Sequence, residues 1–312
     1  MTKKNKKFID LFAGIGGFHL AFHKLGLECV LASEIDPIAR ISYERNFNKI
    51  SPNLFNKGLF NEDIYDLKTN DIPDFDICCA GFPCQPFSQI GKRRGFNENF
   101  EGRGNLFFEI ERILKDKRPE AFFLENVQHI MNHDNGNTFR VIQERIRDLN
   151  YSFYYKKIKA CDFNLPQLRP RTFMVGFRDE KPKDEFFKFP NPVPLKKTMS
   201  DIFKGECSRE IGFTLRLGGM GSKITDRRNW DSYLVDGQVV KLQPDHGKQM
   251  QGFPKNFYLA DTWSNSLRLL GNSVAVNAVY AVGKQLVNYI NDKDSFRKGA
   301  QTKFFWSSAR II

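Results

Sequence analysis

"FIDLFAGIGGFHLAF", residues 8–22, runs from an apolar stretch into a glycine cluster and out into a second apolar stretch. Phe8–Leu11 reads as a strand, Gly14, Gly16 and Gly17 as a turn, and the residues after them as a helix. Without side chains at the turn, the backbone can approach a ligand closely. This order opens a βαβ unit, so the expected fold is α/β with a largely parallel sheet.

The flanking sequence agrees. "ECVLASE" (28–34), "DFDICCAG" (74–81) and "AFFLENV" (121–127) read as further strands. The first, third and fourth strands are apolar enough for burial on both faces. Between them, Leu106, Ile110, Ile113 and Leu114 share one helical face, as do Phe139, Ile142, Ile146 and Leu149. After "FMVGFRDE" (173–180), the stretch "KPKDEFFKFPNPVPLKK" (181–197) is rich in Pro and Lys and marks a boundary. Glycine-dense, weakly periodic sequence follows, and "GNSVAVNAVYAVGKQLVNYI" (271–290) returns to a helix pattern that could pack back on the first domain. The expected division is 1–180, 181–264, a returning helix over 265–294, and a basic aromatic tail over 295–312.

The 312 residues carry a formal charge of +12, which favours a polyanionic partner, nucleic acid first. Six scattered cysteines form no CxxC pair and no zinc spacing, so no metal site is expected. The start lacks a signal-peptide pattern and no stretch could span a bilayer. A soluble, cytoplasmic protein is expected.

Two groups of residues carry chemistry. The first is the glycine turn with Glu34, placed to accept hydrogen bonds from ribose hydroxyls. His19 stands where the third glycine of GxGxxG would be, which weighs against a dinucleotide and a nicotinamide oxidoreductase. The acids Asp10, Glu34 and Asp63, near successive strand ends, suit a cationic, hydroxyl-bearing ligand such as S-adenosyl-L-methionine. The second group lies at other strand ends, in "GFPCQPFS" (81–88), "LENV" (124–127) and "LPQLRPRTF" (165–173). Cys78 and Cys79 read as small buried hydrophobes, whereas Cys84 sits past its strand in a proline-stiffened turn that exposes it. Glu125 would be costly to bury without a partner or a task. Arg169 and Arg171 alternate like strand neighbours facing one cleft. Thiol, acid and paired guanidinium groups beside a cofactor turn describe nucleophilic attack on a heterocycle with assisted protonation.

In that order, "DLFAGIGGF", "SEID", "GFPCQPFS", "LENV", "QLRPR", "QMQGFP" and "GNSV" resemble the bacterial DNA (cytosine-5)-methyltransferases over nearly the whole chain. "GNLFFEI" and "HDNGNT" extend the likeness to the short bacterial members. The resemblance implies a Rossmann-like S-adenosylmethionine-dependent methyltransferase fold, with a mixed sheet, helices on both faces and a smaller, irregular, β-rich target-recognition domain. It implies that Cys84 adds to C6 of a flipped cytosine, that Glu125 assists at N3 and N4, that Arg171 with Arg169 beside it holds the O2 side, and that Asn126 buttresses the turn. It places the cofactor against Phe12, Ala13, Gly14, Ile15, Gly16, Gly17, Glu34, Ile35, Asp63, Ile64, Pro83, Leu106, Asn272 and Val274. DNA contacts are expected from Ser88, Lys92, Arg93, Arg94 and Arg103 on a loop closing over phosphates, and from Thr214, Arg216, Gly218, Gly219, Arg227 and Arg228. Lys223 and Trp230 are further candidates in that region.

Two departures stand out. Ile35 replaces the bulky aromatic usual after the ribose-binding acid. Asp245, His246 and Gly247 stand where Arg, Glu and a helix former are common, which predicts altered packing in the small domain. The implied partner is double-stranded DNA, met by a monomer, with a cognate restriction endonuclease acting on the same site without a stable complex. A transfer-RNA methyltransferase shares the chemistry, although its Cys-Phe-Thr signature is absent. A catalytically silent DNA-binding relative is the alternative from another class.

Overall fold

The computed structural model describes residues 5–83, 106–179, 187–259 and 262–308, with side chains described as far as residue 292. Its centre is a seven-stranded sheet of order β3-β2-β1-β4-β5-β7-β6. The strands are β1 (Lys7–Leu11), β2 (Glu28–Ser33), β3 (Phe60–Asn61), β4 (Ile77–Gly81), β5 (Ala121–Val127), β6 (Tyr154–Ile158) and β7 (Arg171–Phe177). The first five run parallel, and β7 joins β5 and β6 in antiparallel register. The expected strands form where the apolar runs stand, and the sheet is mixed as the resemblance implied.

Alternation along the strands feeds two apolar layers. Phe8, Cys79, Phe123, Phe173 and Val175 face one side, where α1 (Gly17–Lys24) and α2 (Pro37–Phe47) pack. Ile9, Leu11, Cys78, Phe122, Leu124 and Met174 face the other, covered by α4 (Leu106–Lys117) and α5 (Asn137–Asp148). A short helix, α3 (Pro52–Asn56), precedes β3.

The helix expected from Gly271 is in fact two. α8 (Trp263–Asn272) ends there, and α9 (Val276–Ser308) starts after a short extended link. α9 packs on α1, where a Cβ at Gly283 would lie 3.1 Å from Phe22. Its backbone carries the helix through most of the stretch read as a tail.

The second lobe is irregular. It holds α6 (Met199–Phe203), a hairpin of β8 (Ser232–Val235) and β9 (Gln238–Lys241), and α7 (Pro244–Gln251). Asp236 and Gly237 turn the hairpin with φ of +49° and +75°, the geometry that matches strand twist. Met199, Leu215, Trp230, Tyr233, Leu242 and Met250 form its core and merge with the α1 face of the sheet. Trp230 is thus a core residue, 1% exposed, and not the surface contact the sequence suggested.

The departures in "QPDHGKQMQ" do not disrupt α7. Asp245 pairs with Lys248 at 2.7 Å, and His246 Nδ1 accepts the Gln243 N–H at 3.2 Å. A Cβ at Gly247 would lie 2.9 Å from Leu270, so glycine is what lets α7 and α8 approach. Among the described residues, no helix is long and apolar enough to cross a membrane.

Candidate active site

At the end of β1 the chain turns through Phe12 and Gly14 with φ of +54° and +55°. Nothing lies within 4 Å of where a Gly14 Cβ would stand. The Gly14 N–H donates to Glu34 Oε2 at 2.7 Å, and the Asp36 N–H donates to Oε1 at 2.8 Å. Burial pushes the Glu34 carboxyl upward, and these backbone hydrogen bonds oppose it. Ile35 is 57% exposed beside it, while Asp63 accepts the Tyr65 N–H at 3.0 Å and Ile64 is buried below.

Gly16 and Gly17 serve packing. A Cβ at Gly16 would meet Phe47 at 2.2 Å, and one at Gly17 would meet Val274 at 2.5 Å. Ala13 and Ile15 are buried under the turn, Leu106 is half-buried at the start of α4, and Asn272 is exposed at the end of α8.

Two buried residues lie near the turn, and the first of them, Asp10, behaves otherwise than the sequence suggested. Asp10 lies inside β1 with no exposure, and burial raises its carboxyl well above the usual range, so it offers no charge to a ligand. His19 stacks on Phe47 with centroids 4.0 Å apart and meets Tyr43 Oη at 2.7 Å and Ser51 Oγ at 3.0 Å. Burial drives its pKa down to about 3, so it is a neutral packing residue in the place of the third glycine.

The other half of the site gathers at the ends of β4, β5 and β7. Glu125, 7% exposed, stands opposite Gly81 in the β4–β5 register. Arg171 Nε lies 3.0 Å from Glu125 Oε1. Burial raises the Glu125 carboxyl, with the Arg171 and Arg169 charges opposing, so it stays protonated to a higher pH than an exposed glutamate. Asn126 Nδ2 donates to the Phe82 carbonyl at 2.8 Å, and its Oδ1 accepts the Val127 N–H at 2.8 Å. That bond fixes the chain just before Pro83, which is exposed. Cys84, Ser88, Lys92, Arg93, Arg94 and Arg103 lie outside the described residues.

Arg169 does not alternate with Arg171 as a strand neighbour. Its φ of +29° turns it out of line before β7 begins, and its guanidinium goes to backbone carbonyls of the second lobe and the α8–α9 link. Thr214 Oγ1 accepts the Arg169 N–H at 3.1 Å. Arg216 reaches the Arg228 carbonyl at 3.0 Å, and Trp230 Nε1 reaches the Gly218 carbonyl at 3.1 Å. A Cβ at Gly219 would lie 2.1 Å from the Arg228 oxygen, so glycine closes these two loops together. Arg227 and Arg228 are exposed, the latter paired with Asp226 at 2.8 Å.

Three contributors escaped the sequence reading. Arg40 donates to the Glu34, Asn61 and Phe60 carbonyls, which holds the β2 and β3 ends. Arg268 on α8 pairs with Asp36, which caps α2 through Ile38 N–H at 2.9 Å. Gln167, fully buried, bonds to Met250 and Leu215. Asp36 before Pro37 was a visible cap signal; the two arginines gave none.

A mixed seven-stranded sheet, with the Gly14 turn and the Glu125–Arg171 pair at strand ends and helices on both faces, is the architecture of a Rossmann-like methyltransferase. The chain matches the C-5 cytosine-specific DNA methylase family model over residues 6–216 and 220–288, and it belongs to that family. It is 36% identical to type II methyltransferase M.DsaV of Dactylococcopsis salina, covering 93% of this chain and 88% of that one. Against M.HhaI of Haemophilus parahaemolyticus the identity is 34%, with 92% and 96% covered; against M.HaeII of Haemophilus aegyptius it is 37%, with 92% and 95%. The solved structure of the S. pombe Dnmt2 methyltransferase superposes with a TM-score of 0.69 at 21% identity, covering 92% of this chain and all of that one, which supports the fold. The protein is a DNA cytosine-5 methyltransferase, acts on DNA, and shares its family's general use of S-adenosylmethionine.

Proposed function

We propose that the protein methylates C5 of a cytosine within one short duplex word through a covalent adduct between Cys84 and C6. The observation that carries this reading is the buried Glu125–Arg171 pair at 3.0 Å, next to a β4 end that Asn126 pins at Phe82. The target base has to leave the helix, because a thiol cannot reach C6 within stacked pairs. The Cys84 thiolate attacks C6 while protonated Glu125 supplies a proton at N3, so the ring takes the new bond without building an anion. Arg171 holds Glu125 and faces the O2 side. Loss of the C5 proton to solvent, return of the N3 proton to the Glu125 carboxylate and expulsion of the thiolate then restore the aromatic ring and the starting protonation state of Glu125.

The residues around Gly14 suit S-adenosylmethionine. Gly14 leaves open space where a side chain would stand, and Glu34 is a half-buried acid fixed by two backbone N–H groups. When bound, the cofactor supplies an electrophilic methyl group to C5. Glu34 would hold the ribose hydroxyls, Asp63 and Ile64 the adenine, and Phe12, Pro83, Leu106, Asn272 and Val274 the rest of the pocket. Ile35 offers an exposed aliphatic face to the base. The exposed Arg216, Arg227 and Arg228 suit guanine edges or phosphates. A monomer protecting host DNA from a cognate endonuclease fits the type II names of the relatives.

A duplex carrying 5-fluorocytosine at the target tests the adduct, because fluorine cannot leave as the C5 proton does. Intact mass should show protein plus DNA for wild type and none for Cys84→Ser, which still binds DNA. Equal trapping in both would end the covalent reading.

A further inference from the structure

Arg169 is 2% exposed, yet it meets no base-facing cleft. Nη1 donates to the Leu215 carbonyl at 3.1 Å, and Nη2 donates to the Gly271 carbonyl at 2.9 Å and also to that of Ser273. Its N–H donates to Thr214 Oγ1 at 3.1 Å. Two residues earlier, Gln167 accepts the Leu215 N–H at 3.0 Å and donates to the Met250 carbonyl at 3.1 Å. At the same point a Cβ on Gly271 would lie 3.3 Å from Arg216 Cα. The backbone at 214–216 is therefore seated between the end of α8 and the strand that carries Arg171.

A guanidinium keeps its charge under burial and has a planar fork, so it binds several carbonyls only in one relative placement. The two Nη groups reach their carbonyls only when the second-lobe segment, the end of α8 with the α8–α9 link and the approach to β7 are in register. Arg171 follows in the chain after one rigid proline, and its partner is Glu125.

We propose that Arg169 is a positioning residue that registers the recognition segment Thr214–Gly219 against the Glu125–Arg171 pair, so that correct docking on DNA sets the catalytic geometry. The inference rests on the proposed reading of that segment as target-recognising and of that pair as cytosine-facing. A displaced segment breaks the fork, and the displacement passes through Pro170 to Arg171. Arg169 touches neither base nor cofactor.

The test is kcat and KM on the cognate duplex and on one with a single changed base, the word first being read by sequencing DNA methylated by the wild-type protein. Arg169→Lys keeps the cation and loses the fork. Its cognate-over-changed ratio of kcat/KM should fall at least tenfold, chiefly through kcat on the cognate duplex, with KM for S-adenosylmethionine within twofold. Equal loss on both duplexes, leaving the ratio within twofold, is what a merely structural residue gives and overturns the proposal. Should Arg169→Lys not fold, Gln167→Met removes the neighbouring tie to Leu215, and a ratio within twofold there overturns it equally. An Arg216→Ala variant, which removes the exposed cation of that segment, separates the two levels. Unchanged site choice in it removes the recognition reading beneath the proposal, whereas altered site choice with an intact Arg169→Lys ratio refutes the proposal alone.

Discussion

Glu34→Gln tests the cofactor pocket most directly, because the change is nearly isosteric and the geometry fixes what is lost. Both carboxylate oxygens already accept backbone N–H groups, at 2.7 Å from Gly14 and 2.8 Å from Asp36. An amide can satisfy one of these and turns a donor toward the other. The pocket then loses a charge-assisted hydrogen bond to a ribose hydroxyl, about 1.5–3 kcal/mol, and the Gly14 turn loosens. At 1.4 kcal/mol per tenfold, the Kd for S-adenosylhomocysteine should rise roughly 10- to 100-fold in isothermal titration calorimetry. Because burial raises the Glu34 carboxyl, wild-type affinity should weaken as pH falls through that raised value, while Glu34→Gln should lack this limb. A dideoxyribose analogue closes a double-mutant cycle. Removing the hydroxyls should cost wild type and leave the variant little changed. Affinity within twofold of wild type, or the same hydroxyl dependence in both proteins, would refute the assignment of Glu34 to the ribose.

Glu125→Gln should slow single-turnover methylation by roughly 10²- to 10⁴-fold with DNA affinity kept, as expected for loss of a general acid. In wild type the rate should fall as pH rises through the raised Glu125 value, and a pH–rate profile of the variant should lack that limb. Asn126→Ala leaves the Phe82 carbonyl without its donor, which costs about 1–3 kcal/mol in denaturant melts and slows methylation without weakening cofactor binding. Arg268→Ala removes the pair with Asp36, whose carboxyl burial pushes up but the Arg268 and backbone hydrogen bonds hold low. The cost should be about 1 kcal/mol for a half-buried pair still reached by solvent. It should be fully present above the unfolded Asp value near ~4 and vanish as pH falls through the lower folded value, as urea titrations at stepped pH would record.

The sheet was legible because a parallel strand buried on both faces leaves an unbroken apolar run, and "DFDICCAG" and "AFFLENV" carry that mark. Glu125 and Asn126 were legible for the converse reason, polar groups ending an apolar run. Arg169 was misplaced because alternation assumes extended backbone, and nothing in "QLRPR" announces a φ of +29°. Asp10 and Trp230 were misjudged because exposure depends on what packs over a residue. Tyr43 and His19 cover the first and the 216–228 loops the second, all distant in sequence or undetermined in orientation.

The glycine run shows the limit most sharply. Sequence presents Gly14, Gly16 and Gly17 as one device for approaching a ligand, yet a side chain at Gly14 would enter open space while those at the other two would strike Phe47 and Val274. Absence of a side chain is one signal with two causes, and only the neighbour decides which. Gly17→Ala should therefore destabilise the protein by about 1–3 kcal/mol through overpacking. Gly14 has a φ of +55°, so alanine there bears backbone strain of about 1–2 kcal/mol in addition to intruding on the proposed pocket. Matched melts with and without S-adenosylhomocysteine distinguish the two. The ligand-induced rise in melting temperature should shrink for Gly14→Ala and survive for Gly17→Ala, and equal rises in both would return the run to a single role.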